Sequence, residues 1–176
     1  DLGILVEVDF GLGRTGVAPA DAPHLIQEII GLPHLDWEGL AFYPGHIKGL
    51  TGDDEAKAAR LRRDLHDLLN TLAALRLVPR IVSGGSTPLL FHSHTFAGLN
   101  EIRPGTYIFN DLNTASMGAC QLEDCAASIL TTVVSRREGH IIIDGGSKTF
   151  SSDRLATGGP GFGLLPALPG AVFHKM

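Results

Sequence analysis

Three short strand-like segments, each followed by a loop of small or polar residues, are the feature that most restricts the fold of this chain. An apolar run that ends in such a loop is typical of a strand buried in a parallel sheet. The three segments occupy residues 3–8, 35–43 and 80–83, and the loops occupy residues 11–16, 43–46 and 84–87.

Helical patterns fill the two intervals between these strands. The first covers residues 19–30, with Asp21 as a candidate N-cap, Pro23 in the first turn and Gly31 as the stop. The second begins near Asp53. Alternating strands and helices predict an α/β fold, a parallel sheet or barrel, in which ligands bind at the carboxyl ends of the strands. One apolar stripe at three- and four-residue spacing marks the second helix, and we expect it to pack against the sheet: Leu61, Leu65, Leu68, Leu72 and Leu75.

The chain changes character after about residue 99. Residues 101–111 predict a turn followed by a short aromatic strand, and residues 128–135 and 140–144 predict a β-hairpin. A loop is predicted for the Gly- and Pro-rich residues 156–170. We therefore expect a partial (β/α) barrel at residues 1–98 and the start of a β-rich domain at residues 99–176.

Charge and cysteine content argue against several classes of partner. Lys and Arg number 14 against 19 Asp and Glu, so neither nucleic acid nor a membrane surface is an expected partner. Cys120 and Cys125 have neither zinc-site spacing nor a disulfide framework, which favours a reducing cytoplasm. No apolar run reaches the roughly 18–20 residues that span a bilayer. Because both ends of the chain have strand-like residues, we expect a fragment of a longer protein.

The most distinctive loop is residues 84–87, with the sequence Gly-Gly-Ser-Thr. Two glycines leave the backbone open to a ligand, and the N–H groups and the two hydroxyls supply several donors for one anion. An ordinary strand-to-loop turn has a similar composition. Taken alone, the loop leaves a phosphate site and a plain turn equally open.

Residues 6–17, V-E-V-D-F-G-L-G-R-T-G-V, resemble a strand and loop of the fold-type III pyridoxal-phosphate enzymes, the alanine-racemase-like barrel group. The D-serine dehydratase and D-threonine aldolase branch fits best. Each motif is weak alone, but five in register over nearly the whole chain are strong evidence. The other four motifs are residues 39–46, 83–88, 101–111 and 143–148, the last with Ser151 and Asp153.

The resemblance implies a role for each candidate residue. Arg14 would lie against the pyridine ring, Tyr43 would approach the pyridine nitrogen, and His46 would contact substrate or cofactor. Without the resemblance, these three residues could be a surface arginine, a strand-end aromatic and a solvated histidine. The phosphate would be held by Gly84, Gly85, Ser86 and Thr87, and closed on the far side by Gly105 and Tyr107, although Tyr107 could equally be core.

Two family features are expected outside this chain. Such enzymes carry the cofactor as a Schiff base on a lysine at the end of the first barrel strand, and this chain begins several strands later. The branch's divalent metal site, a His paired with Cys or Asp, would lie beyond Met176. We therefore expect the fragment to be inactive. The lysines considered and set aside are Lys48, Lys57, Lys148 and Lys175.

The resemblance thus implies part of a cytoplasmic, homodimeric lyase or racemase that uses pyridoxal 5'-phosphate on D-amino or 3-hydroxy amino acids. One alternative is a non-catalytic pyridoxal-phosphate-binding barrel protein. Another is a metal-dependent barrel hydrolase using His46, His92 and His94, although a polar loop is the favoured interpretation of the H-x-H pair. A Ser/His/Asp hydrolase is more remote, because the chain has no nucleophile elbow.

Overall fold

The computed structural model describes residues 1–156, 158, 161–166, 168 and 170–173. The chain divides into two compact units, Asp1–Tyr107 and Ile108–Met176. Two helices and four strands form the frame of the first unit. They are β1 (Leu2–Glu7), α1 (Ala22–Ile30), β2 (Leu35–Ala41), α2 (Asp53–Ala74), β3 (Ile81–Gly84) and β4 (Glu101–Ile102).

The four strands form one parallel sheet in the order β1-β2-β3-β4. Glu7 pairs with Ala41, Ala41 with Ser83, and the next residue of β3, Gly84, with Ile102. The carboxyl ends of all four strands therefore lie side by side at one edge of the sheet. The three predicted strands are confirmed, and β4 joins the same sheet although the sequence placed residue 99 onward in the β-rich part.

The leucine stripe of α2 is buried as predicted, except at its end. Leu68 and Leu72 pack in a cluster with β1 and α1, and Leu61 and Leu65 pack in a second cluster with Phe42. The prediction for Leu75 is wrong. Leu75 follows the last helical residue as the C-cap, where it has turned away from the sheet and is 47% exposed.

The first helix is shorter than its sequence pattern suggests. It begins at Ala22 rather than near residue 19, with Pro23 in the first turn and Gly31 as the C-cap. Asp21 occupies the N-cap position, but its side chain makes no capping hydrogen bond. The Asp21 backbone already has helical dihedrals, φ −91° and ψ −17°, whereas a capping residue normally has extended ones.

The second unit contains a short helix, α3 (Leu112–Ser116), and the predicted hairpin, whose antiparallel strands are β5 (Val133–Arg137) and β6 (His140–Ile143). The strand β5 starts at Val133 rather than at residue 128. The described part of residues 156–170 forms neither helix nor strand.

The aromatic strand predicted after Gly105 is wrong, because Thr106–Ile108 forms a 3₁₀ turn. The pairing between β3 and β4 ends at Gly84 and Ile102, so the chain beyond Ile102 has no neighbour in this ladder. The predicted boundary after residue 98 stays a prediction. Among the described residues, no helix is both long and apolar enough to cross a membrane.

Leu65→Ala should lower the free energy of unfolding by about 2–5 kcal/mol, because the fully buried side chain leaves a cavity against the sheet. Leu75→Ala, in contrast, should change it by less than about 0.5 kcal/mol, as is usual at an exposed position. Urea denaturation of both variants measures the difference. Equal losses would contradict the placement of Leu75 outside the core.

Candidate functional site

The loop after β1 is folded tightly back on its own strand. The Asp9 N–H donates to Val17 O at 2.8 Å and the Val17 N–H donates to Glu7 O at 3.0 Å, so the loop is closed at its base. Gly16 has φ 99°, and a Cβ there would lie 2.9 Å from Asp9 N. Only glycine combines this backbone conformation with so close an approach.

One carboxylate organises the inside of this loop. Asp9 Oδ1 accepts the N–H groups of Gly11 and Leu12 at 2.8 Å each, and both Asp9 oxygens accept the Gly13 N–H at 3.2 and 3.0 Å. These bonds, first that from Gly11 and then that from Gly13, hold the pKa of Asp9 below its ordinary value. The carboxylate therefore stays charged under all mildly acidic conditions.

Arg14 lies at the far end of this loop, and its guanidinium carbon is 4.9 Å from the centre of the Tyr43 ring. Tyr43 follows β2 at the same sheet edge and is 40% exposed. The structure thus brings together the two residues that the family resemblance placed at the pyridine ring of the cofactor. Their predicted contacts with a cofactor remain predictions.

His46, in the loop after β2, faces the glycine loop. A Cβ built on Gly11 would lie 3.6 Å from His46 Nε2, whereas the buried His46 Nδ1 has no hydrogen-bond partner in the described part of the chain. Burial lowers the pKa of His46, the charge of Lys57 acts in the same direction, and Asp9 and Asp54 act against it. The neutral imidazole is therefore the favoured form in the folded protein.

The Gly-Gly-Ser-Thr loop follows β3 and leads directly into a nine-residue 3₁₀ helix, Thr87–Thr95. Gly84 lies flat against Phe42, since a Cβ there would be 2.2 Å from the ring, and Gly85 has φ 109°. Ser86 is 5% exposed, and its buried hydroxyl oxygen has no hydrogen-bond partner among the described residues. A buried donor left unpaired costs about 1–3 kcal/mol, so this loop suits an anionic ligand that accepts the bond.

Three side chains that the sequence analysis did not assign to the site also form hydrogen bonds at this edge: Ser83, Glu101 and Arg103. The Ser83 hydroxyl, fully buried, donates to Glu101 Oε1 at 2.5 Å. Arg103 Nη2 donates to the carbonyl of Phe42 at 3.0 Å, immediately before Tyr43. Glu101 and Arg103 lie in the motif of residues 101–111, and Asp9 lies in the motif of residues 6–17. Their position in these motifs was the signal in the sequence that could have identified them.

Two of the predicted cofactor-binding residues, Gly105 and Tyr107, lie at exposed positions. Gly105 is exposed with nothing within 4 Å of an added Cβ, and Tyr107 is 48% exposed in its 3₁₀ turn. Neither residue forms a hydrogen bond with the Gly-Gly-Ser-Thr loop in the part of the chain that is described. Tyr107 is also not the core residue that the alternative interpretation required.

The lysines and the H-x-H pair have other settings. The Lys57 ammonium is 2.6 Å from Asp54 Oδ1, and Lys175 lies outside the described residues. His92 and His94 lie on the 3₁₀ helix rather than on a strand. Within residues 1–156 and the other described positions, no three His, Cys, Asp or Glu side chains form a group that could hold a metal ion.

The chain was compared with known protein families. The family model described as alanine racemase, N-terminal domain, matches residues 1–113, more than half of the chain. The chain belongs to this family. The resemblance drawn from the motifs is confirmed, and with it the α/β fold as part of an alanine-racemase-like barrel.

Relatives of this chain include two dehydratases. The chain is 32% identical over 159 residues to a D-threo-3-hydroxyaspartate dehydratase of Delftia sp. (strain HT23), covering 86% of this chain and 41% of the relative. It is 29% identical over 163 residues to a D-serine dehydratase of Dictyostelium discoideum, covering 85% and 41%.

A solved structure, D-threonine aldolase from Filomicrobium marinum, superposes with a TM-score of 0.69 at 25% identity, covering 85% of this chain and 42% of that one. The chain thus spans about two fifths of the length of these relatives.

Gly84→Ala should lower the free energy of unfolding of the protein by about 1–3 kcal/mol, because the new methyl group would overlap the Phe42 ring, which is only 2% exposed. Gly105→Ala serves as the control, since open space surrounds its Cβ position. Thermal or urea denaturation compares them. An unchanged stability of Gly84→Ala would mean that Phe42 is free to move.

The free energy of unfolding should also decrease as the pH is lowered, because His46 must then take up a proton. Because its folded pKa is lowered, the folded state binds fewer protons than the unfolded state as the pH falls through the ordinary histidine value of about 6.5. The wild type should therefore lose more stability between pH 7.5 and 5 than His46→Gln does. His66→Gln, at an exposed position of α2, is the matched control and should behave as the wild type.

Proposed function

We propose that the sheet edge binds pyridoxal 5'-phosphate and that the protein is an enzyme, a lyase or a racemase, acting on D-configured or 3-hydroxy amino acids. The observation that carries the proposal is the buried, unpaired hydroxyl of Ser86 at the Gly84–Thr87 loop. It lies at the same edge as the Arg14–Tyr43 pair. A phosphate ester would accept the bond that the Ser86 hydroxyl lacks.

The residues of this chain would share the binding between them. Ser86 and Thr87 would donate their hydroxyls to the phosphate, and the absence of a side chain at Gly84 and Gly85 would allow its close approach. The first N–H groups of a helix have no partners within the helix, so the start of the 3₁₀ helix adds to the attraction for an anion. Gly105 and Tyr107 would close the far side.

Arg14 and Tyr43 would receive the pyridine ring. A guanidinium plane stacks favourably on an aromatic face, and Arg14 already lies over one aromatic ring in the structure. A phenol at the ring nitrogen leaves that nitrogen without the negative charge that a carboxylate would supply. His46, held neutral by burial, would offer an uncharged nitrogen to the substrate or cofactor.

When bound, the cofactor would supply an electron sink that weakens the bonds at the Cα of an amino acid. The protein would choose the bond that breaks by fixing the orientation of the substrate. Loss of water and retro-aldol cleavage are the outcomes that the names of the relatives favour, since both are lyase reactions. Racemisation remains the third outcome within our proposal.

The remaining parts of the machinery would lie in other portions of the gene product. We propose that the lysine that binds the cofactor and a divalent metal site are supplied there, that the isolated chain is inactive, and that the whole protein works as a cytoplasmic homodimer. Of the two alternatives, a metal-dependent hydrolase has no metal-ligand group among the described residues to support it.

The test uses the full-length gene product. Pyridoxal phosphate should bind with the visible absorption of a lysine-linked cofactor, and D-threo-3-hydroxyaspartate or D-serine should yield a keto acid or aldehyde, whereas the L-isomers should not. Ser86→Ala should weaken cofactor binding about tenfold, because a charge-assisted hydrogen bond is lost. Thr71→Ala, which removes a solvent-side hydroxyl of α2, is the control.

Binding of the cofactor without turnover of any D-amino acid would favour the non-catalytic alternative. Absence of cofactor binding, or equal affinity of Ser86→Ala and the wild type, would overturn the proposed phosphate site.

A further inference from the structure

The position of Arg14 depends on a loop that does not fix its own shape. Gly11 and Gly13 have φ values of 114° and 71°, and glycine adopts such values at little cost but also adopts many others. Only the base of the loop is tied by backbone hydrogen bonds, those that join Asp9 and Val17 to each other and to Glu7. The residues between need another restraint.

The Asp9 carboxylate supplies that restraint on the side before Arg14, and on the side after it the Thr15 hydroxyl donates to Glu7 Oε1 at 2.9 Å. Asp9 accepts the N–H groups of three successive residues, Gly11, Leu12 and Gly13, and these are the residues directly before Arg14. Hydrogen bonds to a charged acceptor are stronger than those between neutral groups. The backbone that carries Arg14 is therefore anchored from inside the loop.

The anchored backbone sets where the guanidinium can reach. Arg14 is exposed, its guanidinium carbon lies over the Tyr43 ring, and its side chain forms no hydrogen bond or ion pair with the described residues. A long side chain on a free loop loses much conformational entropy when it stacks on one ring. A fixed backbone lowers that loss.

We infer that Asp9 is a positioning residue, which holds the loop so that Arg14 lies over Tyr43 and is ready to receive the pyridine ring. The part that concerns the pyridine ring rests on the proposed function. Asp9 also carries a negative charge near His46, so an effect through Arg14 must be separated from an effect on the imidazole.

Four variants of the full-length protein make the separation: Asp9→Asn, Asp9→Ala, Arg14→Ala and the double variant Asp9→Asn with Arg14→Ala. Asp21→Asn is the matched control, because Asp21 is an exposed aspartate just beyond the same loop whose side chain makes no capping bond. Two measurements use the cofactor-free protein: amide exchange at Gly11, Leu12 and Gly13, and the chemical shifts of the Tyr43 ring protons. The third is the dissociation constant of pyridoxal phosphate.

In the cofactor-free protein, Asp9→Ala should speed exchange of the three amides about tenfold or more, while Asp21→Asn leaves it unchanged. Asp9→Asn should shift the Tyr43 ring signals in the same direction as Arg14→Ala, and should add nothing in the Arg14→Ala background. Unchanged exchange in Asp9→Ala, or an equal shift from Asp9→Asn in the presence and absence of Arg14, would overturn the inference.

The cofactor should bind about tenfold more weakly to Asp9→Asn and about a hundredfold more weakly to Asp9→Ala, because one and then both acceptor oxygens are removed. The double variant should bind no more weakly than Arg14→Ala. A further tenfold loss in the double variant would show that Asp9 acts by another route. A wild-type protein that binds no cofactor would refute the proposed function, whereas the two cofactor-free measurements would still decide the role of Asp9.

Discussion

Parallel pairing of four strands is the constraint on which the rest of the first unit depends. In a parallel sheet every strand points the same way, so the loops that follow the strands must emerge at one edge. The registers fix this edge within about one residue, from Glu7 through Ala41 and Ser83 to Ile102. Residues separated by up to about a hundred positions in sequence therefore become neighbours through strand pairing alone, without direct interactions between their side chains.

Two polar atoms at this edge reduce the stability of the fold. The Ser86 hydroxyl and His46 Nδ1 are buried without hydrogen-bond partners among the described residues, so each has lost its hydration without compensation. Such atoms are rare in folded proteins and tend to occur where a ligand binds. The apolar clusters formed by the strands, α1 and the leucines of α2 offset the loss.

Sequence patterns predicted the helices and strands of the first unit well, because a buried helix face or strand requires apolar residues at regular spacing. The leucines of α2 and the three apolar strands were visible for this reason, and the Arg14 and Tyr43 loops followed from their positions after strands. The patterns failed where the outcome depends on a distant partner. The residues after Gly105 have strand-forming side chains, yet β3 ends too early to pair with them.

The supporting groups were missed for a related reason. Nothing in the local sequence shows that Asp9 folds back on three N–H groups, or that Arg103 reaches the carbonyl of Phe42. Each of these bonds exists only once the chain is folded. Leu75 shows the converse, since it keeps the spacing of the stripe but lies one residue beyond the end of the helix.

Phe42 connects the loops of this edge through four different contacts. Its ring packs edge-on against Phe10 with centroids 5.3 Å apart and covers Gly84, its N–H donates to Ser83 O, and its carbonyl accepts from Arg103. These partners belong to the loops or strand ends of β1, β3 and β4, while Phe42 itself follows β2. Because one residue joins all of these segments, a change at Phe42 would disturb several loops at once, whereas a change at one loop tip would disturb that loop alone.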